Sequence, residues 1–246
     1  MARIKVKSIA DATEYLLDLL KVDYDTLNNE GCCGSVLLRT GQTDAARATA
    51  NLTAEKIISK GYTEVVTSCP GCYRTMSSEY PQLVVGGIPF RVRHISQFLF
   101  ENADELKRHL RPITNVNSVA YHDPCHLGRH MSVFDEPRSL IRMVPGLELK
   151  EFKYNREKAL CCGSGGGVRS VFPEISNEVS VTLLEELPSD VDLLVTSCPF
   201  CKYNFKAARR GSIDAGGANQ NKGQSREKTI EVIDLPELLA MSCRGA

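Results

Sequence analysis

Two short cysteine motifs each occur twice in the chain, at a single spacing. Cys32-Cys33-Gly34-Ser35 recurs as Cys161-Cys162-Gly163-Ser164, and Thr67-Ser68-Cys69-Pro70-x-Cys72 recurs as Thr196-Ser197-Cys198-Pro199-x-Cys201, every pair 129 positions apart. Internal duplication is the simplest source of such a pattern, and it constrains the fold strongly: whatever one half becomes, the other becomes too. Within each copy 34 residues lie between the CCG and the CPxC. That is about one helix plus one strand with their turns, the length a βαβ crossover needs.

Local patterns place the motifs. In the second copy Leu147 to Phe152 reads as a strand, Gly163 to Gly167 as part of a loop, Pro173 to Leu187 as a helix with Ile175, Val179 and Leu183 on one face, and Val191 to Thr196 as a strand. The first copy follows the same order with a strand at Tyr24 to Leu27, a helix from Thr43 to Lys60 closed by Gly61, and a strand at Tyr62 to Thr67. After each CPxC a short helix, a strand (Phe90 to Val92; Thr229 to Ile233) and a terminal helix (Ser96 to Leu110; Pro236 to Met241) are expected. Leu99, Ala103, Leu106 and Leu110 form a core stripe in the first of these terminal helices. The second copy carries an insertion at Gly211 to Lys228, rich in Gly, Asn and Gln and read as a surface loop.

The second copy also has a strand at Val119 to Tyr121 that runs into His122-Asp123-Pro124-Cys125-His126, and its counterpart in the first copy would precede Met1. The chain is therefore expected to begin inside the first repeat, with a helix presenting Ile9, Thr13, Leu16, Leu17 and Leu20. One strand and one cysteine of the first copy are missing, leaving a bare sheet edge that a partner segment, or a stretch encoded upstream, is expected to fill. The expected fold class is α/β: two tandem duplicated domains, 1–114 and 115–246, each a small parallel sheet flanked by helices, the two related by a pseudo-two-fold. Every cysteine motif follows a strand, and parallel sheets gather ligands at the carboxyl ends of their strands.

Ten cysteines need a use. Neighbouring Cα atoms are about 3.8 Å apart, too close for an ordinary disulfide, so neither adjacent pair should bridge internally. No apolar run reaches membrane-spanning length, and residues 1–20 carry Asp11, Glu14 and Asp18 where a signal peptide needs its apolar stretch. A cytoplasmic location is expected, and clustered cysteines there read as metal ligands or redox thiols. With 30 basic and 30 acidic side chains the formal charge is zero, which provides no polybasic field for nucleic acid. Thiols at a helix start are acidified by the free N–H groups and the dipole. The second copy offers five: Cys125, Cys161, Cys162, Cys198 and Cys201. Closed zinc sites take four ligands, whereas a multi-iron cluster with bridging thiolates can use five. Iron–sulfur, zinc and a dithiol redox centre remain the three readings of the residues.

The series Cys125, Cys161-Cys162-Gly163 and Cys198-Pro199-Phe200-Cys201 resembles the cysteine-rich CCG domain of the B-type and D-type catalytic subunits of heterodisulfide reductase, over essentially the whole chain. Leu37-Leu38-Arg39-Thr40-Gly41 after the first CCG, and Cys69-Pro70-Gly71-Cys72-Tyr73-Arg74, look more like the D-type and the iron–sulfur subunits of glycolate oxidase. The resemblance implies a noncubane [4Fe-4S] cluster on the five cysteines of the second motif. The first motif lacks the leading cysteine, which leaves Cys32, Cys33, Cys69 and Cys72 for a [4Fe-4S] cluster or zinc. It further implies a catalytic iron–sulfur subunit of methanogenesis that splits a small anionic disulfide of the coenzyme M–coenzyme B type. The alternative is an electron-transfer subunit of a flavin-dependent glycolate or lactate dehydrogenase. The chain shows no ferredoxin segment, so electrons are expected from a partner carrying cubane clusters, flavin or haem, and any membrane association would run through that partner.

Of the remaining polar residues, His126 and Arg129 are the candidate catalytic groups, and His122 and His126 flank Cys125. Arg39 and Arg74 are the candidate substrate-binding residues; Lys202 also sits beside a motif. Gly163 and Gly165 to Gly167 are read as letting backbone approach a bulky cluster, since no GxGxxG or GK[ST] is present. His94 is read as a helix start, and Cys243 has no partner motif.

Overall fold

The computed structural model describes residues 5–27, 30–215 and 230–245 and shows an α/β protein with two parallel sheets. The first pairs β1 (Glu64–Thr67) with β2 (Arg91–His94). The second has the order β4 (Glu148–Glu151), β3 (Ser118–His122), β5 (Leu193–Thr196), β6 (Glu231–Asp234). β1 and β5 lie 129 positions apart residue for residue, and each pairs with the strand that follows it, Thr67 opposite His94 and Thr196 opposite Asp234. Parallel neighbours cannot be joined by tight turns, so helices intervene, Pro70–Arg74 and Tyr80–Leu83 between β1 and β2 and Pro199–Ala215 between β5 and β6, with Thr43–Ser59 ahead of β1 and Pro173–Glu185 ahead of β5.

Three apolar clusters hold these layers. The largest is shared by both halves and joins Leu16 and Leu17 of the first helix (Lys7–Leu19), Ile95 and Leu99, Val119 and Tyr121 of β3, and Leu235 and Leu238 near the end of the chain. A second cluster packs helix Thr43–Ser59 against the outer face of the first sheet through Ala50, Ala54 and Ile57. A third packs Leu194, Val232, Leu183 and Phe205 with Cys162, Cys198 and Cys201 on the outer face of the second sheet. Cys162, Cys198 and Cys201 of the second half are therefore seated in core, while Cys125 and Cys161 are half-buried.

Several elements differ from the expectation. Tyr24 to Leu27 is not a strand. In the second half the equivalent strand β4 pairs only with β3, and no counterpart of β3 stands among the described residues of the first half. The second strand of the first half runs on to His94, because Arg93, a charge that reads as loop, is buried and ion-paired with Glu64 and Glu101. The helix expected over Ser96 to Leu110 is two, Ile95–Glu101 and Ala103–His109, broken where the Asn102 side chain donates to the Phe98 carbonyl at 2.8 Å. After the first CPxC the helix Pro70–Arg74 passes through a π-turn, Thr75–Glu79, and restarts at Tyr80–Leu83, where Pro81 has no N–H to continue the ladder. The helix after the second CPxC is long, Pro199–Ala215. Most of the predicted Gly211 to Lys228 loop lies outside the described residues.

Helix Pro173–Glu185 turns the other way round from its apolar stripe. Of Ile175, Val179 and Leu183 only Leu183 is buried, Ile175 being 54 % exposed, and Ser176 and Ser180 face inward instead. The small serines let the helix come close to the CCG loop and give Asn204, fully buried, its partners: Asn204 Nδ2 donates to Ser180 Oγ at 2.7 Å and to the Ser176 carbonyl at 3.1 Å. The close approach has a cost at Gly163, whose φ is +81°: an added Cβ would lie 3.0 Å from Val179 Cβ and 3.1 Å from the Ser176 carbonyl. The glycine therefore lets the helix come this close. Gly163→Ala is expected to lose about 2 kcal/mol from combined backbone strain and overpacking, seen as a lower thermal midpoint, whereas Gly165→Ala, with open space around it, should change little.

Candidate metal centre

Each half brings its thiols together in the same way. The CPxC cysteine ends a strand and begins a helix with proline in its first turn, so Cys69 and Cys198 sit where free N–H groups point. The CCG loop closes on itself, Gly34 N–H donating to Cys32 Sγ and Gly163 N–H to Cys161 Sγ, both at 3.4 Å. In the first half hydrogen bonds join Cys32 to Cys33, Cys33 to Cys72 and Cys72 to Cys69. In the second they join Cys125 to Cys161 (3.9 Å between sulfurs), Cys161 to Cys162, Cys162 to Cys201 and Cys201 to Cys198. All ten cysteines are free thiols.

Contact between sulfurs sets their acidity. Hydrogen bonds from Cys125 and then Cys162 hold Cys161 well below the ordinary thiol range, and Cys32 and then Cys72 do the same for Cys33. The donors move up: Cys125 is raised by its bond to Cys161 and then by burial, Cys32 by its bond to Cys33 and then by burial. The bond from Cys72 lowers Cys69 as well, so the first half carries two thiols biased toward thiolate, Cys33 and Cys69, and the second carries Cys161, thiolate being the form that ligates metal. Among the described residues no three His, Cys, Asp or Glu side chains are set for a single metal ion. The second half offers five thiols, one more than a closed zinc site takes, a donor set that suits a multi-iron cluster.

Both chains of sulfurs face one cavity of about 850 Å³, lined by all nine motif cysteines together with Arg39, His126 and Gly165 to Gly167. His126 spans the halves: its Nδ1 lies 3.6 Å from where a Cβ on Gly71 would be, inside the first CPxC. Burial and then the charge of Arg74 depress its pKa to about 4. Glu79 pairs with Arg39 and, at 3.5 Å, with Arg74, leaving one positive charge in excess beside Cys125. Arg74 is itself weakened by burial and then by Arg39. Arg129 is placed differently. Its guanidinium donates to the carbonyls of Glu157 and Ala159, which fixes the approach to Cys161, and it is exposed.

Other candidates are tied into the packed interior. His122 is buried in β3 with Nε2 3.1 Å from the Leu160 carbonyl, and Lys202 is buried against Glu237 and Ser8. His94 caps helix Ile95–Glu101 by accepting from Ser96 N–H, and burial lowers its pKa to about 3. Cys243 packs on the shared core, where burial raises its thiol to about 11.

Two supports were not legible in the sequence. Arg138, fully buried, donates to both oxygens of Asp123 at 2.7 Å and to both of Glu151 at 2.8 and 2.9 Å, and Asp123 also accepts from Arg156 N–H at 2.8 Å. This network sits directly before Pro124-Cys125. Asn204 Nδ2 and Ser180 Oγ both donate to the Cys162 carbonyl, at 2.6 and 2.8 Å, while in the first half the Tyr80 hydroxyl donates to the Cys33 carbonyl at 3.1 Å. The partners lie far apart in sequence and follow no periodicity, so no local signal announces them.

The family description "Cysteine-rich domain" matches residues 1–77 and 119–206. The chain is 38% identical over 209 residues to the D-type subunit of dihydromethanophenazine:CoB–CoM heterodisulfide reductase of Methanosarcina barkeri, covering 82% of this chain and 50% of that protein. It is 36% identical over 221 residues to the B-type subunit of fumarate reductase (CoM/CoB) of Methanothermobacter marburgensis, covering 89% of this chain and 40% of that one. With the probable iron-sulfur-binding oxidoreductase FadF of Bacillus subtilis it shares 30% identity over 185 residues, 74% of this chain and 24% of that protein. The chain thus spans half or less of the length of these relatives.

Proposed function

The chain belongs to the cysteine-rich CCG domain family, and on that premise we propose that it is the iron–sulfur subunit of a heterodisulfide-reductase-like complex, reducing a small anionic disulfide of the coenzyme M–coenzyme B type. The observation that carries the reading is that all five second-half thiols and Arg39 line one cavity, with Arg74 beside Arg39 through their shared Glu79. Cys125, Cys161, Cys162, Cys198 and Cys201 would hold a noncubane [4Fe-4S] cluster; Cys32, Cys33, Cys69 and Cys72 would hold a [4Fe-4S] cluster or zinc. When bound, such a cluster supplies one-electron redox chemistry next to sulfur ligands.

The chain's own residues then do three things. Arg39 and Arg74, sharing Glu79, attract an anionic group to the side of the cavity nearest Cys125. His126 is neutral above its pKa of about 4, so it can offer a ring N–H to a departing sulfur without placing a further charge beside the arginines. Arg129, with the Arg138 network, positions the loops that carry Cys161 and Cys125. Cleaving the disulfide to two thiols takes two electrons and two protons; the electrons come from a partner bearing cubane clusters, flavin or haem. No helix among the described residues is long and apolar enough to cross a membrane. We place the chain in the cytoplasm, meeting a membrane only through that partner.

The double variant Arg39→Gln/Arg74→Gln tests the reading. Loss of charge-assisted contacts of about 1.5–3 kcal/mol should raise KM for the disulfide about 10- to 100-fold in the assembled complex, with a smaller effect on kcat. A subunit that only relays electrons, as for a flavin-dependent 2-hydroxy acid dehydrogenase, would show no such change in KM.

A further inference from the structure

His94 ends β2 opposite Thr67, and it is fully buried. Its two ring nitrogens are used unequally. Nδ1 accepts from Ser96 N–H at 3.2 Å and lies 2.8 Å from Ser96 Oγ. Burial keeps the ring neutral, and a neutral imidazole that accepts at one nitrogen carries its proton on the other, here Nε2. A buried donor left unmet costs stability, yet among the described residues Nε2 completes no hydrogen bond. What the ring meets is a pair of carbonyls, those of Ser68 and Ser197. One N–H held between two acceptors completes a full bond to neither.

The two carbonyls are equivalent in the repeat, 129 positions apart, and each belongs to the peptide leading into the first cysteine of a CPxC turn, Cys69 or Cys198. A peptide group is planar, so the set of its carbonyl also sets the N–H of the cysteine that follows. In the first half that N–H donates to Thr67 Oγ1 at 3.2 Å. In the second half Thr196 Oγ1 donates to the His122 carbonyl at 3.3 Å instead, and Cys198 N–H faces the buried carboxyl of Asp234. Asp234 stands opposite Thr196 as His94 stands opposite Thr67, and it serves the turn of its own half. His94 reaches the turns of both. Packing holds this crossing in place: Ile95, the next residue, is buried with Val195 of β5 in the shared core, and the Tyr121 hydroxyl donates to Ser197 Oγ at 3.2 Å.

The geometry points to His94 as a positioning residue that couples the two thiol sites: its one Nε2–H is shared between the peptides leading into Cys69 and Cys198, so the seating of one CPxC turn sets the seating of the other. A metal centre that draws Cys69 toward itself shifts the Ser68 carbonyl and changes the share of the N–H left for Ser197. Of the two tests, the first is read on the metal-free chain and the second rests on the iron–sulfur reading.

His94→Asn is the informative variant, because asparagine keeps the N-cap of helix Ile95–Glu101 and is too short to place a donor between the two carbonyls. The first helical amides after the two cysteines, Tyr73 and Lys202, donate to the Cys69 and Cys198 carbonyls at 2.9 and 3.0 Å, and they report the seating of each turn. In the full chain, reduced and free of metal, their hydrogen exchange should speed up about tenfold in both turns together, while residues 98–101 are unchanged. Faster exchange in the first turn alone would assign His94 to its own half, and faster exchange centred on the helix would assign it to capping. Either result overturns the proposal, as does no change. In the anaerobically loaded chain, Cys33→Ser, which breaks the first thiol set at the CCG loop, should shift the reduction equilibrium of the second-site EPR signal about tenfold. In a His94→Asn chain the same substitution should no longer shift it. A shift that persists there would mean that the sites act on each other across the cavity and not through His94, and no shift in either chain likewise overturns the coupling. Iron and sulfide content of the same samples reports separately on whether clusters are present; if they are absent, the exchange result alone decides.

Discussion

Replacing Cys161 by serine is expected to abolish the iron–sulfur signal of the second site. Cys161 touches both Cys125 and Cys162, so it links the loop after β3 to the rest of the sulfur chain, and it is the thiol most strongly biased toward thiolate in that half. Its loss breaks the ligand series in the middle. Cys198→Ser, at the helix start after β5, should act the same way from the other end. Cys243→Ser, on the shared core and outside every motif, should leave iron and sulfide content unchanged. Iron and acid-labile sulfide per chain for the three variants check this directly, because a merely structural role would show as lost folding rather than lost iron in a folded chain.

The second large effect lies at Arg138. Its guanidinium is buried between Asp123 and Glu151, and removing it leaves a buried carboxylate without its partner. Arg138→Met is expected to destabilise the fold by about 3–5 kcal/mol, a loss set by the stranded charge rather than by the value of the ion pair itself. Asp123→Asn in the same chain should recover part of that loss, so a double-mutant cycle on denaturant midpoints will show strong coupling. Because Asp123 also accepts from Arg156 N–H and stands two residues before Cys125, the single variant should lower iron at the second site more than at the first. Independent, additive effects of the two substitutions would contradict this account of the network.

The repeat made much of this legible. The 129-residue offset alone aligns β1 with β5 and both CPxC turns with helix starts. The meeting of CCG and CPxC within each half follows from the rule that parallel strands present their ends together, whereas the opening of both halves onto one cavity is seen only in the structure. What stayed hidden has physical causes. Helix Pro173–Glu185 looks amphipathic with Ile175 and Val179 inward, yet the demand of Asn204 for hydrogen-bond partners and the tight fit over Gly163 turn Ser176 and Ser180 to the core. Tyr24 to Leu27 reads as a strand, but among the described residues no strand lies beside it to form a ladder, and strand propensity without a ladder does not make a strand. Arg129 and Arg138 sit nine residues apart in sequence; only the structure shows that one fixes a loop from the surface and the other from the core.

On the proposed reading the five thiols of the second half hold an iron–sulfur cluster. Protein purified without oxygen should contain iron and acid-labile sulfide in equal amounts. It should also give an EPR signal that changes when a thiol ligand is added and that disappears in Cys161→Ser. Stoichiometric zinc at this site with no sulfide, in a folded chain, would contradict it.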